Sequence, residues 1–136
     1  MFEIHRKRTY RCSIDRLWEA IATREGLAGW LMENDFEPTV GHRFTFRTKP
    51  SRGFDGIVHA EVLALSSPNH LRLAWRGGGQ ETEVAFTLEV VEPNVTLLRL
   101  AHTGFGGFSG LMTRVILGLG WGKLLRRLLP EWLGLR

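Results

Sequence analysis

The chain has 136 residues, a length that fits one domain, and its 43% hydrophobic and 24% charged residues are ordinary globular composition, which excludes a disordered segment. Its formal net charge of +4 is a modest excess spread along the chain, with small clusters at Arg6–Lys7–Arg8 and Lys123–Arg126–Arg127, so it reads as solvated charge and calls for no nucleic-acid partner. The single cysteine, Cys12, excludes an internal disulfide and a thiolate metal cluster, while five Trp and eight Phe against one Tyr supply apolar aromatics that build cores or line cavities for apolar ligands.

The amino terminus lacks the apolar core of a signal peptide, and no uncharged apolar run reaches the roughly 18 residues of a membrane span. A cytoplasmic location is expected. Residues 2–12 alternate, with Phe2, Ile4, Arg6, Arg8, Tyr10 and Cys12 on one face, which predicts a strand. Ser13 offers a helix N-cap, and Ile14, Leu17, Trp18 and Ile21 follow as an amphipathic stripe. A second short helix is predicted over Glu25–Leu31, burying Leu27 and Trp30, although Gly26 and Gly29 weaken it.

From Asp35 the period changes to two. The predicted strands are Phe36–Thr39, His42–Lys49, Phe54–Leu65, His70–Arg76, Glu81–Val91 and Val95–His102, separated by turn chemistry such as Pro50-Ser51-Arg52-Gly53, Gly77-Gly78-Gly79 and Glu92-Pro93-Asn94. Connections this short imply an antiparallel meander. Phe108–Leu133 has helical spacing, with Leu111, Met112, Val115, Ile116, Leu119, Leu124 and Leu128 as its buried stripe and Pro130 expected to end or kink it. The class is therefore α+β: one domain over residues 1–136, whose one-sided sheet of six or seven strands is covered by the C-terminal helix.

Several motifs in this order narrow the architecture. Ile14-Asp15-Arg16-Leu17-Trp18, Leu27-Ala28-Gly29-Trp30, Val40-Gly41-His42-Arg43-Phe44, Gly56 with Val58, Leu71 with Trp75, His102-Thr103-Gly104-Phe105 and Gly120-Trp121 span nearly the whole chain. Together they resemble the START-like (SRPBCC) superfamily, and within it the family related to the activator of the heat-shock-protein-90 ATPase. The resemblance implies a helix-grip fold, a curved sheet wrapped around the last helix with a cavity between them. It implies no fixed catalytic set. Domains of this kind bind lipids, polyketides or other apolar molecules, some are cyclases, and some act on the chaperone.

Strand parity assigns the inner face. The candidate ligand-cavity residues are Arg8, Trp30, Phe44, Phe46, Val58, Ala60, Leu73, Trp75, Phe86, Leu88, Leu100, His102, Phe108, Met112 and Ile116. For each apolar member the alternative is a solid core. Arg6 and Arg8 share the parity of Ile4 and Tyr10, so a regular strand turns both inward. They would then anchor an anion, or sit at the rim with their stems snorkelling to water. His102 lies on the apolar face of its strand, as a core histidine satisfied by a backbone group or as a ligand-bonding or acid–base group.

Other chemistries find little purchase. The five histidines share no metal-ligand spacing, so neither metal nor cofactor is expected. Gly104-Phe-Gly106-Gly107-Phe-Ser-Gly110 lacks the ending of a phosphate loop and reads as a mobile entry to the helix. No nucleophile elbow is present, and acidic residues are almost absent from the inner parity, which disfavours an enzyme. The last helix reads as core packing in preference to a membrane-surface helix. Trp132, Leu133 and Leu135, beyond Pro130, are candidates for exposure and a homodimer contact. The leading expectation is binding of a small apolar or amphipathic ligand, with or without an acid group. The alternatives are an accessory protein contacting a chaperone and a cyclase-type cavity enzyme.

Overall fold

The computed structural model describes residues 2–107, 117, 118 and 120–135. Seven strands form one antiparallel sheet: β1 (Phe2–Tyr10), β2 (Glu33–Asn34), β3 (Arg43–Arg47), β4 (Ile57–Ser66), β5 (His70–Gly77), β6 (Gln80–Glu92) and β7 (Val95–Phe105). Their order is β1-β7-β6-β5-β4-β3-β2, so β3 to β7 form a meander and β1 returns to close the β7 side as an edge strand. The sheet is curled. A bulge between Val62 and Ala64 in the β4–β5 ladder is one place where it bends.

Two short helices follow β1. In α1 (Ile14–Ile21), the Ser13 hydroxyl accepts the Arg16 amide, and Leu17, Ala20 and Ile21 are buried. Thr23 caps α2 (Arg24–Trp30) in the same way through the Gly26 amide. The glycines that weaken α2 as an isolated helix let it pack. A Cβ on Gly26 would stand 2.2 Å from the Glu19 carbonyl oxygen, and one on Gly29 would stand 2.1 Å from the Trp132 ring. The helix thus exchanges intrinsic propensity for close approach to its neighbours.

The expected strand at Phe36–Thr39 is absent, and two-residue β2 lies just before it. Asn34 Oδ1 accepts the Phe36 amide at 3.0 Å, which bends the chain, and Pro38 has no N–H for a ladder. Phe36 is buried and packs edge-on to Phe44 with ring centroids 5.4 Å apart, so its apolar character reports a plug instead of a strand.

The C-terminal element is helical at 117–118 and 120–123 and continues past Pro130. It does so through a π-helical turn, Leu124–Leu128, and then α3 (Leu129–Leu133). Proline has no N–H and its ring crowds the carbonyl four residues back, so widening the preceding turn lets the helix run on. The widening has a consequence. The Leu129 amide donates to the Leu124 carbonyl, and Pro130 has no hydrogen to offer, so the Leu125 carbonyl loses both helical donors. The buried Tyr10 hydroxyl on β1 supplies the bond at 2.7 Å, tying the edge strand to the helix. Burial pushes the Tyr10 pKa well above its ordinary value.

Beyond Pro130 the chain is not free. Leu133 is buried, Leu135 packs on the core, and the Arg16 guanidinium lies 4.2 Å over the Trp132 ring. The expected exposure of these three residues is therefore corrected: the helix continues past Pro130, so Trp132 meets Arg16 of α1 and Gly29 of α2, and Leu133 and Leu135 pack on the core. Large apolar side chains that are exposed among the described residues are Val40, Val90 and Val91.

Candidate functional site

The centre of the grip is filled. Trp121, 2% exposed, stands between Trp75, Phe86 and Trp30 at ring-centroid separations of 5.8, 6.1 and 6.5 Å. His102 is wholly buried beside it and 4.6 Å from the Phe105 ring. Its hydrogen bonds determine its tautomer. An indole N–H only donates, so the 3.0 Å contact from Trp121 Nε1 leaves His102 Nδ1 as the acceptor, without a proton. The neutral ring then carries its hydrogen on Nε2 and donates it to Thr82 Oγ1 at 2.7 Å, while the Thr82 hydroxyl donates to the Trp75 carbonyl at 2.9 Å. Burial pushes the His102 pKa down to about 3, because a cation here would be stripped of water. Both ring nitrogens are engaged, so His102 is a structural tie between β7, β6 and the last helix. No nitrogen is left over for a ligand or for proton transfer.

An open volume lies instead at the end of the sheet that carries the β3–β4 and β5–β6 turns. A recess of about 330 Å³ is lined there by Met32, Phe54, Val58, Trp75 and Leu117, with Thr48, Ser51 and Arg52 on one lip and Gly53, Gly77 and Gly78 at the turns. Its volume is at the low end of the range for small-molecule sites. Among the described residues of this lining, Arg52 is the one ionisable side chain. The turn that carries it is tightly closed. Ser51 and Phe54 exchange both backbone hydrogen bonds, at 2.9 and 3.0 Å, and Gly53 takes φ +79°, a conformation disfavoured for any other residue.

A family model described as Activator of Hsp90 ATPase homolog 1-like protein matches residues 11–131. The chain belongs to this family. Among solved structures, the Activator of Hsp90 ATPase homolog 1-like chain is similar to protein MLL2253 of Mesorhizobium loti, with 27% identity, a TM-score of 0.87 and coverage of 98% of this chain and 97% of that one. Protein BH1534 of Bacillus halodurans shares 25% identity at a TM-score of 0.82, covering 98% and 97%. The Aha1 dimer of Colwellia psychrerythraea, at 22% identity, TM-score 0.78 and 97% and 96% coverage, shares the fold. No protein of curated function matches significantly.

Against this geometry the cavity residues expected for an Activator of Hsp90 ATPase homolog 1-like domain separate. Val58 and Trp75, themselves buried at 4% and 6% exposure, also line the recess. Trp30, Phe44, Phe46, Ala60, Leu73, Phe86, Leu88, Leu100 and His102 are buried in the core behind it. Phe108, Met112 and Ile116 lie outside the described residues, as does the glycine-rich stretch after Gly107. Gly104 and Phe105, the start of that stretch, belong to β7.

Arg8 is exposed, and so is Arg6, whose guanidinium bonds the His5 and Gly118 carbonyls at 2.9 and 3.4 Å. The parity argument places them correctly opposite Leu98 and Leu100. An edge strand, however, has a neighbour on one side only, so both residues lie at the exposed rim, the second of the two placements expected for them.

Met32, Thr48, Ser51, Arg52, Phe54 and Leu117 were not among the expected site residues, because four of them lie in or beside turns, where periodicity is silent. Phe54 carried a usable signal, since it continues the even parity of Val58 and Ala60. No group of three or more His, Cys, Asp or Glu residues among the described residues could hold a metal ion, and no described helix is long and apolar enough to cross a membrane.

Proposed function

We propose that this chain binds a small apolar or amphipathic molecule in the recess at the turn end of the sheet. The observation that carries the reading is an open volume walled by Val58, Trp75, Phe54, Met32 and Leu117. Apolar surface left facing water is a standing free-energy cost, at roughly 25 cal/mol per Å², which an apolar ligand relieves by covering it. The filled centre restricts the ligand to this end. Cys12, a free thiol, is compatible with a reducing, cytoplasmic setting for the same role.

The test is titration with the neutral fluorophore N-phenyl-1-naphthylamine. The wild type should enhance its emission. Met32→Trp, which narrows the recess from its half-buried rim, should weaken binding by about tenfold or more, the equivalent of roughly 1.4 kcal/mol, with an unchanged melting temperature. No binding by the wild type, or equal binding by the variant, would overturn the reading.

A second reading, contact with a chaperone, is favoured by the family match over residues 11–131. It predicts that the purified chain raises the ATPase rate of an Hsp90-type chaperone, whereas a pure ligand carrier leaves that rate unchanged. A cavity enzyme is less well supported. It needs an acid–base group facing the ligand, and the described lining offers only a guanidinium, which does not give up its proton.

A further inference from the structure

We infer that the molecule taken up by the recess carries a carboxylate, and that Arg52, with the Thr48 and Ser51 hydroxyls, holds it at the lip. The inference rests on the recess being a binding site and adds the chemistry and direction of its ligand.

The lining is mixed. It joins the carbon surfaces of Val58, Trp75, Phe54 and Leu117 with Thr48, Ser51 and Arg52, which are exposed to solvent. Among the described residues, none of these three side chains has a hydrogen-bond or ion-pair partner, and no Asp or Glu lines the recess. Three hydrogen-bond donors, one of them a permanent cation, therefore border a common volume with water as their present partner and no carboxylate among the described lining.

The lip is also preorganised. Its turn is closed by the paired Ser51 and Phe54 backbone bonds, and the Thr48 amide donates to the Gly56 carbonyl at 2.8 Å at its base. Phe54 turns back onto the core, so the segment that presents Arg52 is anchored by a half-buried ring.

A planar guanidinium fork matches a carboxylate by two parallel hydrogen bonds, and the hydroxyls can serve its remaining lone pairs. The contact lies beside apolar walls, where a charged hydrogen bond is stronger than in open water, yet at a lip where the carboxylate keeps part of its hydration. A ligand bound this way points its apolar body at Trp75 and Val58 and its head at solvent.

The experiment compares decanoate with decanol, two chains of equal length differing in the head group, by calorimetric or competition titration at pH 7.5. The wild type should prefer decanoate. Arg52→Ala should weaken decanoate by about tenfold or more and leave decanol within about twofold. Arg52→Lys should fall between, since it keeps the charge and loses the fork. The pair Thr48→Val with Ser51→Ala should reduce the preference further without touching the cation. Equal wild-type affinities for the two probes, or an Arg52→Ala loss shared equally by both, would overturn the carboxylate assignment while leaving the recess as a site. Failure of the wild type to bind either probe would overturn the recess itself and this inference with it.

Discussion

The middle of the grip and its turn end are built from the same inner faces, yet one is closed and the other open. In the middle, Trp121 fills the space that the curled sheet encloses, and each polar atom at that point has a partner: indole to imidazole, imidazole to hydroxyl, hydroxyl to carbonyl. At the turn end the side chains of Val58 and Trp75 border open volume, and the polar groups of Thr48, Ser51 and Arg52 are unpaired among the described residues. Trp75 belongs to both regions: its carbonyl accepts in the closed network, its ring stands 5.8 Å from that of Trp121, and the residue also lines the recess. The difference shows that facing inward does not make a residue part of a binding site. What matters is whether the facing element fills the space, and whether the polar groups nearby are already satisfied.

The sharpest way to break this contrast is to empty the middle. Trp121→Ala should destabilise the fold by about 3–5 kcal/mol in urea denaturation, through lost burial and the cavity left behind. A loss below about 1 kcal/mol would mean that the centre was already loosely packed. Tyr10→Phe is a smaller test of the same closure. It leaves the Leu125 carbonyl buried without a donor and should cost about 1–3 kcal/mol, although it removes a single oxygen.

Acid should act on the middle and spare the recess. Folding lowers the His102 pKa from 6.5 to about 3. Between those values the unfolded chain binds a proton that the native chain does not, so the stability His102 contributes is intact above pH 6.5 and drains away as the pH falls toward 3. The expected slope from this group is on the order of 1 kcal/mol per pH unit below pH 6.5. His102→Gln, which can still accept from Trp121 and donate to Thr82, should flatten that slope. An identical pH profile in the variant would show that His102 is not the titrating group.

Much of the fold was legible in the sequence because alternation and turn chemistry are local. The five long strands after the helices come within a few residues of expectation, as does the cap at Ser13, and the described part of the C-terminal element is helical. The misreadings occur where a long-range partner decides. Phe36 looked like part of a strand because a buried plug and a strand residue are equally apolar. Arg6 and Arg8 had the right parity, but periodicity does not say that β1 lies at an edge. Pro130 left open whether the helix ends or is distorted, and the widened turn before it is a tertiary solution secured by Tyr10 from 115 residues away.

The site was harder to read than the fold. His102 could not be classified until Trp121 and Thr82, 19 and 20 residues distant, were seen to occupy both of its nitrogens. The lip residues sit in a turn whose composition predicts only that it turns. Their place beside Val58 and Trp75 follows from the three-dimensional arrangement, in which the Ser51–Phe54 pairing closes the turn and the Thr48 amide bonds the Gly56 carbonyl.

Indole N–H resonances offer the most direct test that the turn end, and not the middle, receives the ligand. Trp30 and Trp121 donate to the Ala20 carbonyl and to His102, while Trp75 stands at the recess. Titration with a neutral apolar probe, followed by heteronuclear NMR, should shift the Trp75 signal and leave those of Trp30 and Trp121 in place. Movement of the Trp121 resonance with Trp75 unchanged would put the ligand in the centre and contradict the account.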